Sequence, residues 1–142
     1  MLKPDYIVGL VDGEGSFTVY IRNPDSREKR KRRVKIEPKF NLKLIEKDKD
    51  ILYDLKSFFR CGNVYFQKDD RKNHQNCYRY EVTKRNDLVG KIIPFFDKYQ
   101  LKLVSKRKDF KIFSAIMKEI KKNKHLTKSG LRKLYFFKRK MH

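Results

Sequence analysis

The sequence lacks tryptophan, has only two cysteines among 142 residues, and contains no apolar run of membrane-spanning length. Its beginning also lacks the basic and then apolar pattern of a secretory signal peptide. The two cysteines, Cys61 and Cys77, are too few for a disulfide framework. We therefore expect a protein of a reducing intracellular compartment that has no membrane partner.

Acidic residues are also scarce, since 17 Asp and Glu stand against 38 Lys and Arg, which gives a formal net charge of +21. Such an excess favours a polyanionic partner, because cations that neutralise phosphates release condensed counterions. A content of 39% hydrophobic and 13% aromatic residues excludes a disordered basic tail. The length fits one domain over residues 1–142. A ribosomal-type RNA-binding protein and a merely solvated basic surface are the alternatives.

The hydrophobic pattern changes along the chain between the helical period of 3.6 residues and the strand period of two. It predicts the order helix, strand, strand, helix, strand, strand, helix, followed by a basic helical end. The predicted segments are 4–13, 16–22, 34–45, 48–61, 64–68, 77–83 and 86–93, with two more helices after Ser105 and Thr127. The predicted fold class is α+β, with a four-stranded antiparallel sheet that is apolar toward the helices and polar and basic on its other face.

Individual residues predict several boundaries of these segments. Asp48, Ser105 and Thr127 are suited to cap the helices that follow them, because their side chains accept hydrogen bonds from free backbone amides. Pro94 should end or kink the third helix, since proline removes a helical hydrogen bond. Pro38 indicates an edge position or a bulge in the second strand, because proline cannot donate to a sheet.

The most unusual local pattern in so basic a chain is a pair of acids, Asp12 and Glu14, beside glycines. Carboxylates two residues apart can offer oxygen ligands to Mg²⁺, and this ion can activate water for phosphodiester cleavage. A simple turn is the commoner reason for such a sequence. Gly9 and Gly13 lie four residues apart on one helical stripe, where they either allow close approach of another backbone or simply end the helix. The sequence leaves both pairs of alternatives open.

Two further features suit a nucleic-acid partner. The stretch from residue 27 to residue 33 contains a single acid, and we expect it to contact phosphates through Arg30, Arg32 and Arg33. A solvated hairpin tip is the alternative interpretation of this stretch. The outward positions of the second predicted strand mix Lys, Asn and Glu, which can read base edges, whereas phosphate binding needs only positive charge.

Residues 7–15, with the sequence IVGLVDGEG, resemble the LAGLIDADG motif of homing endonucleases. The positions that match letters of the motif are Gly9, Leu10, Asp12 and Gly15. Glu14 stands where the family usually has Asp. Residues 40–48, 62–64 and 106–110 are also similar to segments of the family, so the likeness covers nearly the whole chain.

The resemblance implies a half-unit whose motif helix packs against the same helix of a second half-unit through small residues. A chain with one motif resembles the homodimeric type, whose two sheets form a saddle over a near-palindromic DNA site. It further implies cleavage of both DNA strands that leaves short 3′ overhangs. The residues expected at the subunit interface are Val8, Gly9, Asp12 and Gly13.

The resemblance also implies catalytic roles. The implied catalytic residues are Glu14, Glu46, Lys106 and, in a supporting role near the helix end, Asp12. Glu14 corresponds to the acid that reaches the scissile phosphate through a divalent metal, Mg²⁺ with Mn²⁺ as a substitute, and the Gly13 carbonyl is a second ligand. Glu46 matches a polar position that orders metal or water. Lys106 matches a basic position that helps to place the attacking water, and Lys108 is the neighbouring alternative.

In that family the outward strand residues and the basic loop read the DNA. The DNA-binding residues implied here are Ser16, Thr18, Tyr20, Arg22, Arg30, Arg32, Arg33, Lys35, Glu37, Lys39, Asn41, Lys43, Tyr65, Gln67 and Arg79. An ordinary solvent-facing residue is the alternative at each position. Two other functions stay open, an intron splicing helper that binds intron RNA and a non-catalytic DNA-binding relative. The sequence does not distinguish prokaryotic cytoplasm from a mitochondrion or a chloroplast.

Overall fold

A computed structural model describes residues 1–25 and 36–141 of the chain. Its elements are α1 (Pro4–Glu14), β1 (Gly15–Ile21), β2 (Ile36–Ile45), α2 (Lys49–Phe59), β3 (Asn63–Gln67), β4 (Cys77–Val82), α3 (Arg85–Asp87), α4 (Ile93–Lys98), α5 (Val104–Lys121) and α6 (Lys128–Lys138). A π-helical turn, Leu88–Ile92, joins α3 to α4, and short 3₁₀ turns precede α2 and α6. The element order and the α+β class predicted from the sequence are confirmed.

The four strands form one antiparallel sheet in the order β1-β2-β4-β3. Two hairpins, β1-β2 and β3-β4, are joined by the pairing of β2 with β4. Ser16 lies opposite Asn41, Asn41 lies opposite Glu81, and Glu81 lies opposite Asn63. Because side chains alternate across a strand, this register places the four residues in one row on the same face of the sheet.

The other face of the sheet packs against the helices and forms the core. Phe17, Phe40 and Tyr80 are buried there. The Phe17 ring centroid lies 5.1 Å from that of Phe40 and 5.4 Å from that of Phe113 in α5. Burial of one such side chain contributes about 1.5–3 kcal/mol. These buried aromatic residues therefore help to hold the sheet to its helices.

The helix α1 passes into β1 without an intervening loop, since Glu14 ends the helix and Gly15 begins the strand. Gly15 is buried, and a Cβ atom at this position would lie only 2.6 Å from Cγ1 of Val11. Glycine is therefore required at this junction for steric reasons. The last turn of α1 is joined directly to the sheet.

Of the two outcomes expected for Pro94, an end or a kink of the third helix, the first is wrong, because the helix continues to Lys98. In the π-helical turn before it, the Ile93 N–H donates to the Leu88 carbonyl, five residues earlier. Pro94 then lies in the first turn of α4, where a missing N–H group is tolerated. The proline thus accompanies a distortion of the helix and not its end.

The three predicted helix caps have different outcomes. The Thr127 side chain accepts a hydrogen bond from the Gly130 N–H at 2.9 Å, which confirms that cap. Asp48 occupies the N-cap position of α2, but its side chain makes no capping hydrogen bond. The prediction for Ser105 is wrong, because this residue lies inside α5, whose N-cap residue is Leu103. No side chain of the described residues caps this end of α5.

The prediction of an edge position for Pro38 is confirmed in part. The residue is buried in β2 opposite Val19 of β1. The pairing of β4 with β2 covers only Phe40 to Ile45. Pro38 therefore lies where β2 pairs with β1 alone among the described strands. The predicted bulge is not found, since the register between β1 and β2 is continuous from Gly15 to Ile21.

Candidate active site and nucleic-acid interface

The last turn of α1 presents its two acids to different surroundings. The Asp12 side chain is buried, at 7% exposure, and accepts backbone hydrogen bonds from Lys102 at 2.9 Å and from Leu103 at 3.2 Å. Glu14, two residues further on, is exposed. Residues two apart are separated by about 200° around a helix. The two carboxylates therefore face opposite sides of α1.

The bonds of Asp12 organise the beginning of α5. Its two donors, Lys102 and Leu103, directly precede that helix. The N-terminal end of a helix has free N–H groups and favours negative charge. Asp12 thus anchors the residues that lead into α5, but it does not replace the cap expected from Ser105, because neither donor belongs to the first turn of the helix. The structure brings Asp12 to this loop and not to the exposed side of α1 on which Glu14 lies.

Lys106 lies at the junction of α1 and β1. It is half-buried in the first turn of α5, and its Nζ donates to the carbonyl oxygen of Gly15, the residue after Glu14. Lys108, the alternative, is exposed and lies about 200° further around the helix. The geometry therefore favours Lys106 as the cation that accompanies the acid.

Glu46 lies at the same end of the sheet. It directly follows β2, which runs antiparallel to β1, so it lies near the end at which β1 begins. Its side chain is exposed, and its backbone N–H donates to the Asn76 carbonyl at 3.0 Å. Leu42 is opposite Gly15. Glu46 is four residues beyond it, about 13 Å along the strand direction.

The end of α1 offers oxygen atoms that suit a hard cation. Gly13 and Glu14 are both exposed, and the last carbonyl groups of a helix lack intrahelical partners. Within residues 1–25 and 36–141, no group of three or more His, Cys, Asp or Glu side chains could hold a metal ion by itself. Mg²⁺ is commonly bound by one or two carboxylates, several waters and substrate phosphates. The donor set fits such an ion when DNA and water complete it.

The residues expected at a subunit interface lie on two sides of α1. Gly9 and Gly13 are exposed, and no described atom lies within 4 Å of a Cβ atom built on either one, apart from their own helix and chain neighbours. Tyr6 lies on the same side and is 49% exposed. Val8 and Asp12 are buried against the core of their own chain. Gly9 and Gly13 could therefore meet a second helix, whereas Val8 and Asp12, which were also expected at the interface, are covered by their own chain. The interface itself stays a prediction.

The outer face of the sheet is polar, as predicted. The register places on it Ser16, Thr18 and Tyr20 of β1, Glu37, Lys39, Asn41 and Lys43 of β2, Tyr65 and Gln67 of β3, and Arg79 of β4. Arg22 follows the end of β1. Arg30, Arg32, Arg33 and Lys35 lie outside the described residues. The structure thus brings together every proposed DNA-binding residue that lies within a strand.

The same register adds residues to this face that the sequence analysis did not assign. They are Ile45 of β2, Asn63 of β3, and Cys77 and Glu81 of β4. A signal for two of them was present, because Cys77 and Glu81 alternate with Tyr78 and Tyr80 in the sequence. Asn63 lies between the predicted segments 48–61 and 64–68, and its pairing with Glu81 identifies it as a strand residue.

Two arginine–carboxylate pairs hold segments at the margins of this face. Arg132 of α6 contacts both carboxylate oxygens of Asp25, just after β1, at 2.7 and 3.1 Å. Arg71 contacts both oxygens of Asp69, between β3 and β4, at 2.9 and 2.7 Å. In each pair the arginine hydrogen bonds hold the pKa of the carboxyl group below its usual range. Exposed pairs add little stability, so their main effect is to orient α6 and the β3-β4 loop.

Comparisons with known proteins agree with this arrangement. The family model described as LAGLIDADG endonuclease matches residues 7–117. The probable intron-encoded endonuclease 2 of Neurospora crassa is 35% identical over 135 residues. These residues cover 94% of this chain but only 28% of the Neurospora protein.

Solved structures match over the whole length of the chain. The homing endonuclease I-TnaI is 39% identical, with a TM-score of 0.80 over 99% of this chain and 88% of its own. I-SmaMI bound to an uncleaved DNA target in the presence of calcium ions is 30% identical, with a TM-score of 0.82 over 100% of this chain and 45% of its own. The resemblance of residues 7–15 to the motif is thereby confirmed, and the chain belongs to the LAGLIDADG endonuclease family.

Proposed function

We propose that this chain is a metal-dependent, sequence-specific DNA endonuclease that acts as a homodimer on a long, near-palindromic site. It would cleave both strands and leave short 3′ overhangs. The observation that carries the proposal is the exposed carboxylate of Glu14. It lies at the junction of α1 with β1, a strand of the sheet whose outer face is polar, in a strongly basic protein. Membership of the family, and the DNA target in the I-SmaMI structure, support it.

The metal ligands in this proposal are the Glu14 carboxylate and the Gly13 carbonyl. When bound, Mg²⁺, or Mn²⁺ in its place, would supply an activated water and would stabilise the leaving oxygen of the phosphodiester. Glu14 brings a negative charge to a protein surface that is otherwise strongly basic. Its charge would attract a cation that lysines alone would repel.

The other residues near this site act on water and on position. The Lys106 ammonium, held at the Gly15 carbonyl, is a donor that can orient the attacking water or the phosphate. Glu46 is exposed at the same end of the sheet and can accept a hydrogen bond from ordered water. Asp12 is a positioning residue, because it holds the beginning of α5, on which Lys106 lies.

The outer face of the sheet would recognise the DNA. Its lysines and arginines attract phosphates, while side chains such as Asn41, Gln67 and Arg79 can make paired hydrogen bonds with base edges. These residues lie on three different strands, so they could contact different base pairs along a groove. A net charge of +21 provides a further attraction that does not depend on DNA sequence.

The exposed side of α1 would form the contact between two copies. Gly9 and Gly13 leave room for close approach of a second helix, and Tyr6 provides exposed apolar area beside them. Two copies related by a twofold axis would bring one Glu14 to each DNA strand.

Among the described residues, a search for a helix with the length and hydropathy of a membrane span finds none. Binding of intron RNA, and the cellular compartment, stay predictions.

The decisive experiment compares Glu14→Gln with the wild type on targets selected by cleavage from a random duplex library. We expect cleavage to fall by about 10²-fold or more, the scale of losing one transition-state electrostatic contact, while binding to the selected duplex persists. Asp5→Asn, the same charge change at the other end of α1, is the matched control and should cleave normally.

Several outcomes would contradict the proposal. Normal cleavage by Glu14→Gln would exclude the ligand role of this residue. Wild-type cleavage in a chelator, without any divalent ion, would exclude the metal mechanism. Specific binding without cleavage in either Mg²⁺ or Mn²⁺ would instead identify a non-catalytic DNA-binding protein, and preference for intron RNA over duplex DNA would identify a splicing helper.

A further inference from the structure

The polar face of the sheet has a carboxylate close to its centre. Glu81 lies in β4, an inner strand, opposite Asn41 on one side and Asn63 on the other. Its side chain is only 11% exposed. A carboxylate at this position repels DNA phosphates, so a face that needed only affinity would have no use for it.

The neighbours of Glu81 explain why it is covered. Its Oε1 lies 2.9 Å from Nζ of Lys39 and 3.3 Å from Nε of Arg79. Its Oε2 lies 3.5 Å from Nη2 of Arg79. One carboxylate therefore engages two cations, which come from different strands and which we assign to DNA binding.

Arg79 is held from two further directions. Its Nη1 lies 3.4 Å from Oε1 of Gln67, and its guanidinium lies 5.9 Å from the centre of the Tyr65 ring. A guanidinium has five N–H groups in a planar fork. Glu81 faces the side formed by Nε and Nη2, and Gln67 takes one N–H of Nη1. One N–H on each terminal nitrogen then has no partner among the described residues, and two N–H groups of one arginine can be accepted by guanine O6 and N7 in the major groove.

The contacts of Glu81 would have two consequences for DNA binding. A lysine and an arginine that are already paired gain less from an arbitrary phosphate, because they must first leave the carboxylate. The same pairing lowers the entropy that Arg79 loses when it binds a base in the one orientation that is held ready. The first effect weakens binding to all DNA sequences, and the second favours binding to the target sequence.

We propose that Glu81 is a positioning residue for specificity, which presets Arg79 and Lys39 for base readout and suppresses binding to arbitrary DNA. The inference rests on the proposed function, since it concerns recognition by the same sheet. Glu81 need not touch the DNA itself. Its effect is on the ratio between binding to the target and binding to any other duplex.

The test measures binding of Glu81→Gln to a random-sequence duplex and to the selected target over a range of salt concentrations. Asp54→Asn is the matched control, because it makes the same charge change at an exposed position of α2, in the helix layer. Release of one or two cations should steepen the slope of log K against log salt on random duplex by about 1–2. The ratio of target to random binding should fall by about tenfold. Asp54→Asn should change neither quantity.

Two more variants separate positioning from a structural role. Glu81→Asp keeps the charge but moves it back by one methylene, so we expect the wild-type salt slope together with a reduced specificity ratio. Arg79→Ala should lower the specificity ratio in the wild type but have little further effect in Glu81→Gln, because the two residues act as a unit. Circular dichroism of each variant verifies folding, and Glu81→Asp serves if Glu81→Gln does not fold.

The possible failures are distinguishable. If the wild type binds no duplex DNA, the proposed function and this inference fall together. If it binds DNA and Glu81→Gln keeps the wild-type salt slope and specificity ratio, only this inference is overturned. Loss of specificity at a single base pair, additive with Arg79→Ala, would show that Glu81 reads a base directly and would also overturn the positioning role.

Discussion

The two faces of the sheet use the same strands for different purposes. Phe40 is fully buried against the helices, while the next residue, Asn41, lies on the polar face. Tyr80 and Glu81 divide in the same way on β4. Since the side-chain period of a strand is two, half of each strand can be chosen for packing and half for binding. The sheet therefore holds the fold together and presents a binding surface without additional segments.

The helix α1 shows the same division around its axis. Asp12 faces inward and holds the beginning of α5, whereas Glu14 faces outward. Val8 is part of the core, whereas Gly9 is exposed. Substitutions on the inner side should therefore change stability, and substitutions on the outer side should change activity or assembly.

The largest effect is expected for Phe40→Ala on the inner face. The Phe40 ring lies 5.1 Å from that of Phe17 and 5.7 Å from that of Phe96, so its removal leaves a cavity at the centre of the core. We expect the free energy of unfolding in urea to fall by about 3–5 kcal/mol. Asn41→Ala, the adjacent outward substitution, is the control and should lose far less. Similar losses of stability in both variants would contradict the assignment of packing to the inner face and of binding to the outer face.

A smaller loss is expected for Asp12→Ala on the inner side of α1. The substitution removes the acceptor of two backbone N–H groups, those of Lys102 and Leu103. The free energy of unfolding should fall by about 1–3 kcal/mol. Glu14→Gln, which alters the outward acid, should leave chemical denaturation unchanged. An equal loss in Glu14→Gln would mean that the outward acid is also structural.

The smallest effect on folding is expected for Gly9→Leu on the outer side of α1. A Cβ atom at this position has no described atom within 4 Å, apart from its chain neighbours and its own helix backbone, and leucine favours a helix over glycine by up to about 0.8 kcal/mol. Denaturation should therefore show equal or slightly higher stability. Sedimentation velocity should nevertheless show loss of the dimer. A wild type that sediments as a monomer, or a variant that still dimerises, would rule out this side of α1 as the subunit contact.

Features that depend on local sequence were predicted well. The alternation in residues 16–22 predicted the strand β1 and its two faces. Thr127 was identified as a cap because its partner, Gly130, is three residues away. In each case the relevant contact lies within one or two turns of the chain or follows from a simple period.

Features that depend on distant pairing were missed. The donors to Asp12 lie 90 and 91 residues away, so its sequence neighbours could not reveal why it is buried. The contact of Glu81 with Lys39 depends on the register of β2 with β4, which no single strand determines. The choice between Lys106, which the resemblance implied, and its alternative Lys108 also depends on a distant contact, that of Lys106 with the Gly15 carbonyl.

The direct passage from α1 into β1 has a consequence for where the DNA would be cut. Glu14 and Ser16 are separated by one residue, Gly15, so their Cα atoms can be at most about 7 Å apart. The group that would act on the phosphate and the first group that would read a base are thus linked by covalent geometry, with no loop to vary their spacing. In the proposed enzyme, the backbone fixes the number of base pairs between the cut and the recognised sequence. Changes in the residues that read the bases would alter which sequence is cut, but not where the cut falls within it.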